Sequence, residues 1–201
     1  MIKTFSKVKK LNGELSLPGD KSISHRSVMF SSLAGGISQI KNCSNAEDVI
    51  TTISIFKSMG VEFENKDGEL IVHGKGFMNL DKPLGELYAG NSGTTARLMC
   101  GILSAQNFES ILTGDESLSK RPMGRIVEPL EEMGADISAS ENGTMPVIIQ
   151  HSNSLHNINY TLKVASAQVK SAILLAGMHL EQESVIIEHI PTRNHTEKLL
   201  G

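Results

Sequence analysis

Three short polar segments of the sequence have residue types and a spacing that suit anion binding, and each lies where a helix is expected to begin. The three segments are LPGDKSISHR, GNSGTTAR and SAQVKSAILLAG. The N-terminus of a helix presents unpaired N–H groups and the positive end of the helix dipole, and both favour an anion. Lys21 and Arg26 bring two cations to the first segment, and Arg121 adds another in KRPMGR. These residues indicate a site for a small molecule that carries phosphate or carboxylate groups.

The residues alone leave the identity of that ligand open, because a phosphosugar, a nucleotide and a phosphorylated acid would all fit. The sequence contains neither a GxxxxGK[ST] loop nor a Rossmann fingerprint, which disfavours a nucleotide. The histidines show no metal-ligand spacing with cysteines or acidic residues, so we expect no metal. Cys43 and Cys100 are expected to be core or partly buried thiols rather than nucleophiles or a disulfide framework.

The elements that must position these segments form an internal repeat. Asp67-Gly68 and Asn142-Gly143 lie 75 residues apart, and both dipeptides favour two-residue hairpin turns because such turns need positive φ. Each hairpin follows an amphipathic helical segment that ends at Gly60 or Gly134, where glycine is typical of a helix C-cap. Together with the small-residue helices and β-rich segments, the pattern predicts units of the order strand, helix, strand, helix, strand, strand.

The repeat predicts an α/β fold of βαβαββ units over about 12–80, 81–152 and 153–201. The pattern predicts two complete units, and the third unit stops at HTEKLLG, inside its expected second helix. We therefore expect residues 1–201 to be the incomplete N-terminal domain of a longer protein. The alternative is a degenerate third unit and a natural chain end. Equivalent helix starts in the three units are expected to face one common site.

Composition and charge exclude several classes of protein. The chain has 201 residues with 19 basic and 22 acidic side chains, a net charge of −3 and 39% hydrophobic residues, typical of a soluble globular protein. It lacks the basic footprint of a nucleic-acid binder, an apolar run long enough for a membrane helix and the apolar stretch of a signal peptide. We expect a cytoplasmic protein with no nucleic-acid or membrane partner. Lys7, Lys9 and Lys10 are expected on a solvated strand face.

Through its three polar helix-start segments and two further motifs, the sequence resembles the 5-enolpyruvylshikimate-3-phosphate synthase family of 3-phosphoshikimate 1-carboxyvinyltransferases. The resemblance covers nearly the whole chain and rests on LPGDKSISHR, GNSGTTAR, GDESLSKRPM, SAQVKSAILLAG and TRNHTE, in this order and spacing. It implies two similar domains of three βαβαββ units, with the active site in the cleft between them. It implies transfer of the enolpyruvyl group of phosphoenolpyruvate to the 5-hydroxyl of shikimate-3-phosphate in the shikimate pathway to chorismate and aromatic amino acids. Phosphate is released, no cofactor takes part, and the complete protein is expected to be a monomer.

The resemblance also implies a role for each residue that matches a family motif. Lys21 matches a lysine that touches both substrates and is the candidate catalytic residue. The residues that match contacts to shikimate-3-phosphate are Ser22, Arg26, Ser166, Ala167, Gln168 and Arg193. Those that match the surroundings of phosphoenolpyruvate are Asn91, Gly93, Thr94 and Arg121, with Gln168 also nearby. A guanidinium grips phosphate or carboxylate in bidentate fashion, which agrees with the arginines in this set.

Three positions qualify what the resemblance implies. Asn194 stands where the family usually has Asp, and if that Asp orients Arg193, the restraint on Arg193 is weaker here. Ala167 stands where many relatives have Ser, although its N–H can still donate. Gly93 matches a glycine that leaves room for glyphosate, a competitor of phosphoenolpyruvate, so the complete enzyme is expected to be glyphosate-sensitive.

Two rival functions have to be weighed against this one. The related enolpyruvyl transferase acting on UDP-N-acetylglucosamine typically has a reactive Cys before its Arg-Pro, whereas the segment 114–122 has none. The other rival is a non-catalytic half-site that binds a phosphorylated acid. The general acid and base carboxylates of the family belong to its second domain, so residues 1–201 alone are expected to be inactive.

Overall fold

The computed structural model describes residues 3–4 and 6–201 of the chain, which form six helices and nine strands. The helices are α1 (Lys21–Leu33), α2 (Glu47–Ser58), α3 (Gly93–Leu103), α4 (Gly124–Glu132), α5 (Ala167–Gly177) and α6 (His195–Leu200), with a 3₁₀ turn at Leu118–Lys120. The strands are β1 (Gly35–Ile40), β2 (Glu62–Lys66), β3 (Glu69–Lys75), β4 (Leu87–Tyr88), β5 (Ser110–Thr113), β6 (Asp136–Ala139), β7 (Val147–Gln150), β8 (Asn159–Thr161) and β9 (Val185–Ile187). This mixture of helices and strands confirms the predicted α/β class.

The first unit forms an antiparallel sheet of order β1-β3-β2. Asp67 and Gly68 have φ of 52° and 80°, and Lys66 pairs with Glu69 across them, which confirms the two-residue hairpin. The strand predicted before α1 is missing, because residues 6–20 are almost wholly exposed and pair with no strand in the described part of the chain. A strand needs a partner for its N–H and C=O groups. Lys7, Lys9 and Lys10 are therefore exposed, but they do not lie on a strand face.

The second unit has the complete βαβαββ order that the repeat predicts. Its sheet has the order β4-β5-β7-β6, in which β4 and β5 are parallel and the other pairs are antiparallel. The prediction of a two-residue turn at Asn142-Gly143 is wrong, because Ala139 pairs with Val147 and residues 140–146 form a longer loop. The N–H of Gly143 donates to the carbonyl of Ser140, and of these two turn residues Gly143 alone has positive φ, at 69°.

The third unit follows the predicted order as far as its second helix. Strands β8 and β9 are parallel and are joined through α5, and α6 follows β9. The C-caps of α2 and α4 are Met59 and Met133, and the glycines expected there, Gly60 and Gly134, follow one residue later with φ of 82° and 84°. Glycine with positive φ just after the C-cap is typical of a helix end. None of the helices among the described residues is long and apolar enough to cross a membrane.

Helix α3 lies at the centre of the core and brings the units together. Every residue of α3 except Thr94 is buried. At Gly101 an added Cβ would lie 2.1 Å from the carbonyl oxygen of Ala172 on α5, far inside van der Waals contact. Glycine at this position therefore lets the two helices approach closely. As a consequence, the N-terminal turn of α3 lies beside that of α5.

Candidate functional site

Each of the three helices that the sequence singled out begins with a side chain that caps its free N–H groups. Asp20 Oδ1 accepts from the N–H of Ile23 at 2.8 Å, and Ser92 Oγ accepts from the N–H of Thr95 at 3.1 Å. Ser166 Oγ is the capping acceptor of α5. Side-chain oxygens in these positions are typical helix N-caps. The remaining N–H groups of the first turns of α1, α3 and α5 can bind a ligand.

A cavity of about 590 Å³ lies at the beginnings of α1, α3 and α5 and beside the loop before α6. It is lined by the predicted residues Lys21, Ser22, Arg26, Thr94, Ser166, Ala167, Gln168 and Arg193, and also by Ala165 and Thr192. The lining includes three cationic side chains and no carboxylate. Such a wall favours an anionic ligand, and the hydroxyl and amide groups in it can hydrogen-bond phosphate or carboxylate oxygens.

Arg26 is the most enclosed cation of the cavity, with 4% of its surface exposed. Its Nε donates to Thr196 Oγ1 at 2.7 Å, Nη2 donates to Ser171 Oγ at 2.9 Å, and Nη1 donates to Ser22 Oγ at 2.9 Å. Burial lowers its pKa, but an arginine stays protonated because its ordinary pKa is so high. Within the described residues no carboxylate oxygen lies within 4.0 Å of this guanidinium. The carboxylates of Glu197 and Asp20 favour the charged form of Arg26 only from beyond 4.0 Å, so a bound anion can pair with the guanidinium directly.

Lys21 is held at the beginning of α1 by an acidic partner that sequence reasoning missed. Its Nζ lies 2.7 Å from Asp48 Oδ2 on α2, while about half of the lysine side chain remains exposed. The ion pair orients the ammonium group and leaves it accessible from the cavity. Asp48 is separated from Lys21 by 27 residues, and no spacing rule connects them.

Asn91, Gly93 and Arg121 do not line the cavity but form a second cluster next to it. Arg121 Nη2 donates to Asn91 Oδ1, and Asn91 Nδ2 donates to Asp115 Oδ2 at 2.7 Å. Asp115 also accepts from the N–H of Leu118, and this bond lowers its pKa. The carboxylate therefore stays ionised and anchors Asn91, which in turn orients Arg121.

Gln168 joins the second cluster to the cavity. Its Nε2 donates to Thr94 Oγ1 at 3.2 Å, and its Oε1 accepts from Arg97 Nη1 at 3.1 Å. A Cβ added to Gly93 would lie 2.6 Å from Arg97 Nη1 and 3.3 Å from Arg121 Nη1. Both arginines therefore approach the backbone at the beginning of α3, and the two groups of predicted residues form one continuous surface.

Arg97 is a candidate binding residue that the sequence reasoning did not select. It is buried, and burial together with the charges of Arg125 and Arg121 lowers its pKa. Its Nε has no hydrogen-bond partner in the described residues. The available signal was its position in GNSGTTAR, one helical turn after Gly93 and on the same face of α3.

Arg193 lies at the rim of the cavity and is exposed. It forms no ion pair and no side-chain hydrogen bond with any residue that the structure describes. Asn194 precedes α6, and its side chain makes no capping hydrogen bond. The expectation that Asn194 leaves Arg193 weakly restrained stays a prediction.

The cysteines and His25 lie outside the reactive surface. Cys43 is partly buried and Cys100 is completely buried, which confirms the expectation of core or partly buried thiols, and burial raises the pKa of Cys100 to about 12. His25 is fully buried, and its Nδ1 lies 2.7 Å from Thr52 Oγ1. In residues 3–4 and 6–201 no three His, Cys, Asp or Glu side chains are grouped to hold a metal ion.

The repeated α/β fold and the cationic cavity between its helix beginnings are features of the class of α/β proteins whose helix N-termini offer a surface suited to small anions. The sequence profile of the family described as EPSP synthase (3-phosphoshikimate 1-carboxyvinyltransferase) matches residues 5–201. The chain belongs to this family.

Relatives and solved structures agree with the family profile. A 3-phosphoshikimate 1-carboxyvinyltransferase of Alkaliphilus metalliredigens is 48% identical over 97% of this chain, and one of Ruthia magnifica is 52% identical over 94%. The structure of EPSP synthase from Acinetobacter baumannii matches with a TM-score of 0.90 at 50% identity, over 94% of this chain and 43% of that chain. The chain spans 46% and 43% of the lengths of the two curated relatives.

The buried position of His25 predicts how its charge responds to pH. Burial lowers its pKa from the ordinary 6.5 to about 4, so the folded protein keeps this ring neutral where an unfolded chain would protonate it. Between pH 6.5 and 4 the unfolded state binds more protons, so His25 makes the folded state less stable as the pH falls, by up to about 1.4 kcal/mol per pH unit. An NMR titration of the imidazole signals, assigned with His25→Gln, measures this directly. A His25 ring that titrates near pH 6.5 would contradict the description of its surroundings.

Proposed function

We propose that the chain takes part in transferring the enolpyruvyl group of phosphoenolpyruvate to the 5-hydroxyl of shikimate-3-phosphate, with release of inorganic phosphate. The observation that carries this proposal is the cavity without carboxylates where α1, α3 and α5 begin. The relatives named 3-phosphoshikimate 1-carboxyvinyltransferase, at about half identity, supply the reaction.

We propose that the cavity holds shikimate-3-phosphate. Ser22, Ser166 and Gln168 offer hydroxyl and amide donors, and Arg26 and Arg193 offer guanidinium groups for phosphate or carboxylate oxygens. The N–H groups at the beginning of α5, including that of Ala167, add donors in the field of the helix dipole. This combination supports a ligand with two anionic groups more than a neutral sugar.

We propose that phosphoenolpyruvate binds at the second cluster, against Asn91, Gly93, Thr94 and Arg121. Arg97 and Arg121 approach the α3 backbone at Gly93, so two guanidinium groups are available to one small dianion. Lys21 lines the cavity with about half of its side chain exposed, and the resemblance implies that it touches both ligands. Its proposed role is to stabilise the negative charge that develops during the transfer.

The addition must protonate the methylene carbon of phosphoenolpyruvate and remove the proton of the 5-hydroxyl, and the loss of phosphate must then remove a proton from the resulting methyl group to restore the enol. The residues that line the cavity include no carboxylate for either step, and Asp48 is already paired with Lys21. We propose that the acid and base belong to a second domain, as the resemblance implies, and that residues 1–201 alone bind but do not turn over. The unit boundaries, the monomeric state and the cytoplasmic location remain predictions.

A non-catalytic half-site is the second candidate function, and the same lack of a carboxylate in the cavity favours it. Binding of shikimate-3-phosphate without release of phosphate by the full-length gene product would support it. The rival function as a UDP-N-acetylglucosamine enolpyruvyl transferase is disfavoured, because the matching family profile and the relatives are named for the shikimate enzyme.

The proposed role of Arg26 predicts that Arg26→Lys weakens binding of shikimate-3-phosphate about tenfold or more, since charge-assisted bonds contribute about 1.5–3 kcal/mol. Lysine keeps the charge but loses the planar fork of donors. Isothermal titration calorimetry on the full-length protein measures the dissociation constant, with circular dichroism as a check on folding. Arg125→Lys is the matched control, because Arg125 is exposed and does not line the cavity. An affinity unchanged by Arg26→Lys would refute the assignment of the cavity.

Because Gly93 matches the family's glycine, the resemblance implies that the complete enzyme is sensitive to glyphosate, and the crowding at Gly93 makes this testable. Gly93→Ala would bring a methyl group within 2.6 Å of Arg97 Nη1 and within 3.3 Å of Arg121 Nη1, so both guanidinium groups must move. We expect the inhibition constant for glyphosate to rise about tenfold or more, because each factor of ten requires only about 1.4 kcal/mol. Steady-state inhibition with phosphoenolpyruvate as the varied substrate tests this. Equal inhibition constants for both proteins would contradict it.

A further inference from the structure

Lys170 on α5 is a buried lysine that does not line the cavity. Its Nζ lies 2.5 Å from Glu188 Oε2 and 2.6 Å from Glu197 Oε1, and 6% of its side chain is exposed. We call these three residues the Lys170 cluster. Burial lowers the pKa of Lys170, but the hydrogen bonds and charges of the two glutamates outweigh burial and raise it above its usual value. The lysine is therefore a permanently charged anchor for two carboxylates.

The Glu188 side of the cluster is connected to the cavity wall. Thr192 Oγ1 donates a hydrogen bond to Glu188 Oε1, the oxygen that Lys170 leaves free. Thr192 and its neighbour Arg193 both line the cavity. Because Arg193 forms no ion pair or side-chain hydrogen bond with the described residues, its position depends on the backbone that Thr192 helps to hold.

The Glu197 side of the cluster is connected to Arg26. Thr196 precedes Glu197 on α6, and Ser171 follows Lys170 on α5. The Oγ atoms of Ser171 and Thr196 lie 2.6 Å apart, and both accept hydrogen bonds from the Arg26 guanidinium. The Lys170–Glu197 pair therefore lies directly beside the hydroxyl pair that orients Arg26.

Residues 188–197 are thus held against α5 at both ends, through the Lys170–Glu188 and Lys170–Glu197 ion pairs, and Arg193 lies between these two contacts. A short helix such as α6 has little stability of its own, and Asn194 gives it no side-chain cap. Lys170 is almost completely buried, whereas the side chains of Glu188 and Glu197 are 21% and 37% exposed. Removing a carboxylate leaves the buried ammonium group less compensated, so the cluster restrains this segment more strongly than a fully exposed pair would.

We propose that Lys170, Glu188 and Glu197 are positioning residues that hold residues 188–197 against α5 and thereby set the affinity of the cavity for the phosphorylated sugar acid. This inference rests on the proposed function. The Lys170 cluster restrains the segment that contains Thr192 and Arg193 and lies beside the hydroxyl groups that orient Arg26. The second cluster, by contrast, is held separately through the hydrogen bonds of Asn91 and Asp115. The two substrates should therefore respond differently when the Lys170 cluster is broken.

The test compares the KM values for both substrates, together with kcat, in the full-length protein. We expect Lys170→Met to raise the KM for shikimate-3-phosphate about tenfold and Glu188→Gln to raise it about threefold, with the KM for phosphoenolpyruvate within about twofold of the parent. Lys163→Met is the matched control, because Lys163 forms an exposed ion pair with Glu128 and does not line the cavity. Both of its KM values should stay within about twofold of the parent.

Glu188→Gln decides the question if Lys170→Met fails to fold, because glutamine keeps the shape of the side chain. A KM for shikimate-3-phosphate that stays within twofold, or a parallel rise of both KM values, would overturn the positioning role. Arg193→Ala in the same series separates this inference from the proposed function. If Arg193→Ala weakens binding and Glu188→Gln does not, the positioning role alone fails. If Arg193→Ala and Arg26→Lys both leave binding unchanged, the ligand assignment itself fails.

Discussion

The site depends on one buried charge, the guanidinium of Arg26, which is held by hydroxyl groups and not by carboxylates. Ser22, Ser171 and Thr196 take up its donors from α1, α5 and α6. Burying a cation without a counter-ion is costly, and hydroxyl groups compensate only part of that cost. The fold therefore keeps a positive charge that an anionic ligand can neutralise. The cationic lining of the cavity and the free N–H groups at the helix beginnings act in the same direction.

The packing of the helices determines which helix beginnings lie next to Arg26. Gly101 allows α3 and α5 to approach closely, and Thr94 and Gln168, at the beginnings of these helices from two different units, form a hydrogen bond. The repeat thus produces one surface from helix beginnings that are far apart in sequence. Arg97 and Arg121 both approach Gly93, so the cationic surface continues from the cavity to the second cluster.

Local features of the site could be predicted from sequence, whereas the contacts between units could not. Asp20 and Ser166 are N-caps and Asp67-Gly68 is a hairpin turn, because each depends on a few adjacent residues. The Arg26–Thr196 bond spans 170 residues, and no periodicity indicates it. The prediction of a strand before α1 is wrong. A segment with strand propensity needs a pairing partner, and the described residues supply none for residues 6–20. The loop at 140–146 forms because the pairing of β6 with β7 ends at Ala139 and Val147, several residues away from the Asn142-Gly143 dipeptide.

We propose that the helix beginnings of the three repeated units form one anion site for shikimate-3-phosphate. A crystal structure of the full-length gene product with this ligand bound tests the claim most directly. The account predicts that the phosphate and carboxylate of the ligand lie in the cavity, within about 2.7–3.1 Å of donors at the beginnings of α1 and α5 and of the Arg26 or Arg193 guanidinium. A ligand ordered elsewhere, with both arginines and Ser166 untouched, would contradict it.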